Sequence, residues 1–214
     1  INRRVAGLHE AAYLLGLFAL LSQILALIRD RLLAHFFGAG SALDVYYAAF
    51  RIPDFIFAAI ASVVSVYVLI PFFTERVSRS AHDARRFLDS LTGAFLIAIA
   101  AVATVAWILA PTLLERFFPA LTNGALHDEL ILLTRLLLLQ PILLGLSSLI
   151  GTVTQTMERF MLYAISPLLY NFGIILGIAL LYPHIGLVGV IWGVLLGATL
   201  HLLIQIPFVL KVGF

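Results

Sequence analysis

The chain has 214 residues, of which 63% are hydrophobic and only 11% charged, and its formal net charge is +2. Soluble domains run near 45–50% apolar and about 25% charged, so this composition excludes a water-soluble globule, and the dominance of Leu, Ile, Val and Phe excludes disorder. The lack of cysteine excludes disulfides, thiolate metal sites and cysteine nucleophiles.

Long unbroken runs of Leu, Ile and Ala favour helices over a β-barrel, whose strands would alternate over ~10 residues. The expected fold is an all-α membrane protein. A spanning helix needs ~20 mostly apolar residues, and six stretches qualify. The first covers 9–37. The second covers 42–70, bent at Pro53 and stopped by Pro71. The third covers 86–110, stopped by Pro111. The fourth, 126–156, contains Pro141, and the fifth, 161–181, contains Pro167. The sixth covers 186–210. Prolines inside spanning helices mark kinks whose freed carbonyls are satisfied by neighbours. Gly38-Ala39-Gly40 with Ser41 reads as a tight turn, 74–83 as a polar loop and 112–127 as the longest connection. Glu158-Arg159 and Pro183-His184 lie in the last two turns. The chain starts at Ile1 and stops at Phe214 just after an apolar segment, so it is expected to be a piece of a longer protein or to have a processed start. A cleavable signal peptide is not expected, because the first apolar stretch is too long and ends in charges.

Lys and Arg concentrate on the cytoplasmic side of membrane proteins. With the N-terminus inside, that side holds Arg3, Arg4, Arg76, Arg79, Arg85, Arg86, Arg159 and Lys211, against Arg116 alone outside. Both ends are therefore expected in the cytoplasm. Trp107 and Tyr182 fit the outer interface. The basic run around Arg76, Arg79, Arg85 and Arg86 reads first as this charge bias and secondarily as contact with anionic membrane lipids. Gly189, Gly193 and Gly197 recur every fourth residue, as do Gly173 and Gly177. Such stripes let helix backbones approach closely, within one bundle or across a homodimer.

Ionisable groups inside a membrane are costly and mark function by default. Nearly all lie in the first two spans: Gln23, Arg29, Asp30 and Arg31 in the first, then Asp44, Arg51 and Asp54 in the second. Arg29 precedes Phe37 by eight residues and Arg51 follows Asp44 by seven. At 1.5 Å per residue both sit roughly 10–12 Å in from the outer end, so they meet if the two helices pack as neighbours. Asp44, Arg51 and Asp54 share a face of the second helix. The simplest picture is a polar, partly cationic cavity facing away from lipid. Duller readings stand beside it. Asp44 follows Ser41 by three and can serve as a capping-box acid. Arg31 can snorkel to the headgroups. Asp30, Asp44 and Asp54 can simply neutralise Arg29 and Arg51, in which case losing Arg51 is milder than losing Arg29. Arg135 lies deep in the fourth span. Asn171 and Gln205 read as interhelical hydrogen-bonding amides. The six histidines show no ligand spacing. No phosphate loop or serine nucleophile motif occurs. No cofactor, metal, nucleic-acid partner or enzymatic activity is expected.

These residues resemble a known family. Ser22-Gln23-Ile24-Leu25, Arg29-Asp30, Phe37-Gly38-Ala39-Gly40, Asp44 and Phe50-Arg51-Ile52-Pro53 are similar to the start of the MurJ/MviN-type lipid II flippases, within the multidrug/oligosaccharidyl-lipid/polysaccharide exporter superfamily. Leu133-Thr134-Arg135 with Pro141, Gln155 through Arg159-Phe160, Ser166-Pro167-Leu168-Leu169-Tyr170-Asn171, and Gln205-Ile206-Pro207 through Lys211-Val212-Gly213 continue the pattern in order. The resemblance implies the N-terminal six-helix lobe of a two-lobe protein of about fourteen helices in the bacterial inner membrane, its C-terminal lobe missing here. It implies alternating access that carries lipid II, the lipid-linked disaccharide-pentapeptide precursor of peptidoglycan, from the inner to the outer leaflet. Arg29, Asp30 and Asp44 occupy the positions that would bind pyrophosphate. Arg51 joins them as a candidate, with Gln23, Asp54, Phe57, Arg135 and Asn171 as candidate cavity lining. The chain departs from the family at Gln23 and Phe57, where many members carry arginine, and at Ser62-Val63, where a glutamate-glycine pair is expected. Export of another polyprenyl-diphosphate-linked glycan, drug antiport and a scaffold for cell-wall enzymes are the alternatives.

Overall fold

The structure, a computed structural model, describes residues 8–38, 40–63, 66–121 and 125–211. Arg3, Arg4, Ala39, Val212 and Gly213 lie outside the described residues, as do the side chains of Ser62 and Val63. In chain order the elements are α1 (Leu8–Phe37), α2 (Ser41–Val63), α3 (Val66–Arg79), α4 (Ala81–Phe117), a short 3-10 turn (Pro119–Leu121), α5 (Ala125–Leu137), α6 (Leu139–Thr156), α7 (Phe160–Leu176), a π-helical turn (Gly177–Leu181), α8 (Tyr182–Ile185), α9 (Leu187–Leu203) and α10 (Ile206–Lys211). No strand occurs among the described residues.

Five stretches are long and apolar enough to cross a membrane: Ala12–Phe37, His82–Phe117, Leu126–Thr156, Phe160–Ile185 and Leu187–Lys211. They coincide with five of the six expected spans. The remaining one is α2, whose 23 residues reach about 34 Å at 1.5 Å per residue, enough for the ~30 Å hydrocarbon core. The expected span 42–70 is divided between α2 and α3, and Asp44, Arg51 and Asp54 all lie on α2.

Three proline and loop expectations are corrected. Pro71 sits inside α3 instead of ending a helix. Pro111 likewise sits inside α4, which continues to Phe117 and so shortens the connection expected over 112–127. Proline removes the N–H that would pair with the carbonyl four residues back. For Pro111 that carbonyl belongs to Trp107, and the Arg135 Nε–H donates to it over 3.2 Å. A neighbouring helix thus completes the bond that the proline deletes, so the helix need not stop. The polar segment 74–83 is not a loop either. α3 runs to Arg79, and the Ser80 Oγ accepts the Asp83 N–H at 3.0 Å to cap α4 directly. Here a serine followed three residues later by an acid signals a helix start, and the polarity of the stretch hides it.

Pro141 interrupts its span as expected, whereas Pro183 and His184, expected in a turn, lie in α8. Pro141 lacks the N–H that would take the Leu137 carbonyl, and the fourth span breaks at Leu138, between α5 and α6. Before Pro183 the fifth span widens into its π turn, where the Tyr182 N–H reaches back five residues to Gly177.

α7 packs along α9, and its other flank receives α1. The glycine stripes are this contact: Gly173 lies against Gly193 and Gly197, and Gly177 against Gly189 and Gly193. A methyl group at any of these positions meets backbone, which is why glycine stands there. α2 packs instead on α5 and α6. Phe37, at the end of α1, stacks on Tyr182 with ring centroids 4.4 Å apart, so α1 and the fifth span end at the same level. A core of Leu33, Val45, Leu133, Ile174, Val190 and Val194 closes this end of the bundle.

Candidate functional site

α1 and α2 touch only near the turn that joins them, because α1 leans on α7 while α2 leans on α5 and α6. Close packing of the two helices, the condition for Arg29 and Arg51 to meet directly, is therefore not what brings them together. Their polar residues face each other across an open cleft, and α6 and α7 supply its back wall. The cleft encloses about 290 Å³, with Arg29 and Asp30 from α1, Arg51 and Asp54 from α2, Gln140 from α6 and Tyr170 from α7 among its walls. Tyr46, Tyr47 and Phe50 complete the α2 side. Two arginines and two aspartates therefore converge in a chain with very few charges.

The two arginines are held differently. The Arg29 Nε and Nη2 both approach the Asp30 Oδ1, at 2.9 Å each. Its Nη1 donates to the Asn171 Oδ1 at 3.0 Å. Asn171 is itself buried, and its Nδ2 donates to the Ser22 Oγ (3.2 Å) and to the Pro167 carbonyl (3.2 Å). Asn171 thus ties α1 to α7 and fixes the Arg29 guanidinium from behind, leaving the side chain only partly covered. Interhelical bonding by Asn171 is as the sequence led one to expect. So is that of Gln205, whose Nε2 donates to the Ser147 Oγ at 2.7 Å.

Arg51 forms no ion pair among the described residues, although Asp54 lines the same cleft. Of the expected neutralisation by aspartates, Arg29 with Asp30 is a direct salt bridge, while Asp54 lies near enough for its charge to act on Arg51 without one. Arg51 is exposed and lines the cleft.

Gln23, Asp44, Phe57, Arg135 and Asn171, all candidates from the sequence, stand outside the cleft walls, Asn171 acting from behind through Arg29. Gln23 is exposed on α1 and Phe57 is half-buried on α2. Asp44 is exposed in the first turn of α2, where its N–H takes the Gly40 carbonyl at 3.3 Å. A helix N-terminus favours an acid there. Ser41 is the first helical residue, so it does not hold the cap position that a capping box requires. Arg135 lies on the other side of α5, in a mostly apolar lateral groove beside α4. Its guanidinium stacks 4.1 Å above the Trp107 ring while bonding the Trp107 carbonyl. Its partners give it a structural task at the Pro111 site and separate it from the cleft.

Gln140 and Tyr170 were not singled out from the sequence as site residues. A signal existed: Gln140 is a lone amide between a run of leucines and a proline, where a polar side chain needs a reason. Tyr170 immediately precedes Asn171 but carried no charge to draw notice.

With this geometry in hand, three comparisons with known proteins agree. A family model described as lipid II flippase MurJ matches residues 33–214. The lipid II flippase MurJ of Burkholderia cenocepacia is 28% identical over 96% of this chain and 41% of its own length. The probable lipid II flippase MurJ of Vibrio cholerae is 27% identical, again over 96% of this chain and 41% of its own length. A solved structure, lipid II flippase MurJ in its inward closed conformation, superposes with a TM-score of 0.78 at 24% identity, covering 93% of this chain and 42% of that one. The chain therefore spans about two fifths of the length of the relatives it matches.

Proposed function

This chain belongs to the MurJ family of lipid II flippases, and from that premise we propose that it forms the N-terminal lobe of a transporter that carries lipid II from the inner to the outer leaflet. Both ends of the segment then lie in the cytoplasm, with the second lobe of the same protein across the cavity and lipid II as the transported partner. The observation that carries the reading is the meeting of Arg29, Asp30, Arg51 and Asp54 in one cleft between four helices. Charges at membrane depth are expensive unless they line a polar cavity or are paired.

The chemistry follows from the two arginines. Lipid II crosses the membrane with a diphosphate between its prenyl tail and its sugars, and that group needs fixed cationic partners where water is scarce. Guanidinium binds phosphate oxygens through two parallel N–H donors, a geometry that an ammonium lacks. Arg29 is pre-oriented by Asn171, so little freedom is lost when a phosphate arrives. Asp30 keeps Arg29 compensated in the unloaded site, and the phosphate competes with that carboxylate for the same donors. Arg51, which makes no direct salt bridge among the described residues, supplies the charge that tips the exchange. The prenyl tail stays in the bilayer while the headgroup occupies the cleft. Rocking of one lobe against the other then exposes the cleft to each side in turn. The cleft volume, at the lower end for ligand sites, suits one wall of a larger cavity.

The test is a rescue assay with the full-length gene. The endogenous lipid II flippase of a bacterium is depleted, and growth and outward lipid II are scored with the parent or with Arg29→Ala. The expected result is rescue by the parent alone, with the variant inserted normally. Unchanged transport by the variant removes Arg29 from the substrate path. Failure of a well-expressed parent points instead to another polyprenyl-diphosphate-linked glycan.

A further inference from the structure

Gln140 is a polar side chain without a full set of partners at the wall of the cleft. It is 4% exposed, and its Nε2 donates to the Tyr170 hydroxyl at 3.1 Å, while its Oε1 has no hydrogen-bond partner. A buried amide oxygen left in this state is disfavoured, and its position against the cleft gives it one direction in which to find a donor. The break at Leu138 starts α6 one residue before Gln140, with Pro141 following, so the chain turns this amide toward the cleft in an otherwise apolar run.

The missing partner has a definable chemistry. The Gln140 Oε1 accepts and does not donate. The aspartates of the cleft also only accept, and so does an ionised diphosphate. With the donors of Arg29 and Arg51 taken up by the diphosphate in the loaded site, the group that completes Gln140 there is a neutral O–H or N–H donor beside the diphosphate, as a sugar hydroxyl or an acetamido N–H is. Such a group can pair with the Oε1, whereas a phosphate, which only accepts, can reach no more than the second N–H of the amide, the first being given to Tyr170. Resting on the reading of the cleft as a diphosphate site, we propose that Gln140, held by Tyr170, is a specificity-determining residue that reads the first sugar of the lipid-linked glycan. Arg29 and Arg51 hold the charge, and Gln140 distinguishes a glycosylated lipid diphosphate from a bare one.

The experiment measures binding of two probes to the full-length protein in detergent or nanodiscs: lipid II and undecaprenyl diphosphate without sugars. Gln140→Met keeps the volume and removes both polar atoms. It should lose about 10-fold in affinity for lipid II, the worth of one good hydrogen bond at ~1.4 kcal/mol per tenfold, and keep its affinity for the bare diphosphate. Gln140→Asn, which keeps an amide but draws it back from the cleft, should lose in the same direction and serves if the Met variant fails to insert. Arg29→Ala should weaken both probes together. Equal losses on both probes, or no loss on either, for the Gln140 variants overturn the sugar-reading role. A parent that binds neither probe overturns the diphosphate reading and this inference with it. A parent that binds the bare diphosphate as tightly as lipid II overturns the inference alone.

Discussion

Replacing Arg29 by alanine removes a guanidinium that Asn171 and Asp30 hold in place, and leaves both partners with unused hydrogen-bonding capacity. Arg29→Ala is expected to abolish transport at normal membrane insertion, as scored in the rescue assay. Arg29→Lys restores charge without the planar fork and should recover little. Arg51 had been expected to matter less, as a mere counter-charge. Because it lines the cleft and makes no direct salt bridge among the described residues, Arg51→Ala is expected to weaken lipid II binding by about 10–100-fold, the range for losing a charged hydrogen bond of ~1.5–3 kcal/mol. A loss under threefold in a direct binding titration would return Arg51 to the counter-charge role. Asn171→Ala should lower binding by about 10-fold while Arg29 remains, since it frees the guanidinium instead of removing it. Equal binding by that variant and the parent would show that Arg29 does not depend on its support.

At the scale of elements, the decisive contact is α7 on α9, where glycines face glycines and no side chain separates the helices. Gly193→Val places a branched side chain against the Gly177 backbone and the Gly173 carbonyl. It should force these helices apart and sharply reduce folded protein, read as loss of a monodisperse peak in detergent. A normal elution profile would mean that the stripe is not the packing surface. The contact has a functional consequence as well, because α7 carries Asn171 and Tyr170. Any shift of α7 therefore moves the support of Arg29 and the anchor of Gln140 together. Gly186, whose φ of 63° is rarely open to side chains, sets the turn into α9. Gly186→Ala should cost about 1–3 kcal/mol, measured as a lower midpoint of thermal unfolding in detergent.

At the scale of the whole molecule, the placement of charge predicts topology, and the lack of cysteine makes that easy to measure. A cysteine introduced at Ser78, near the α3–α4 junction, should react with an impermeant thiol reagent only in opened cells. One at Ala120 should react in intact cells. The reverse pattern would invert the orientation proposed for the lobe. Much of this molecule was legible in its sequence. The apolar runs located five of the spans, the third ending seven residues beyond its expected stop, because lipid demands long apolar helices. The few charges in α1 and α2 named Arg29, Asp30, Arg51 and Asp54, because a membrane punishes idle charge. What the sequence misjudged were features completed by a partner from another helix. Pro111 does not end α4 because Arg135 reaches the carbonyl that it frees, and that same bond takes Arg135 away from the cleft. Asp44 shares a helix face with Arg51 by spacing, yet lies at the end of α2 while the cleft opens further along. Gln140 gained its place only when the break at Leu138 turned it beside Tyr170. Composition and periodicity determined what must be buried in lipid and which residues are too costly to be idle. Only the packing of α1 on α7, and of α2 on α5 and α6, decided which of those residues share a cleft, because neighbours far apart in the chain are chosen by shape and not by spacing.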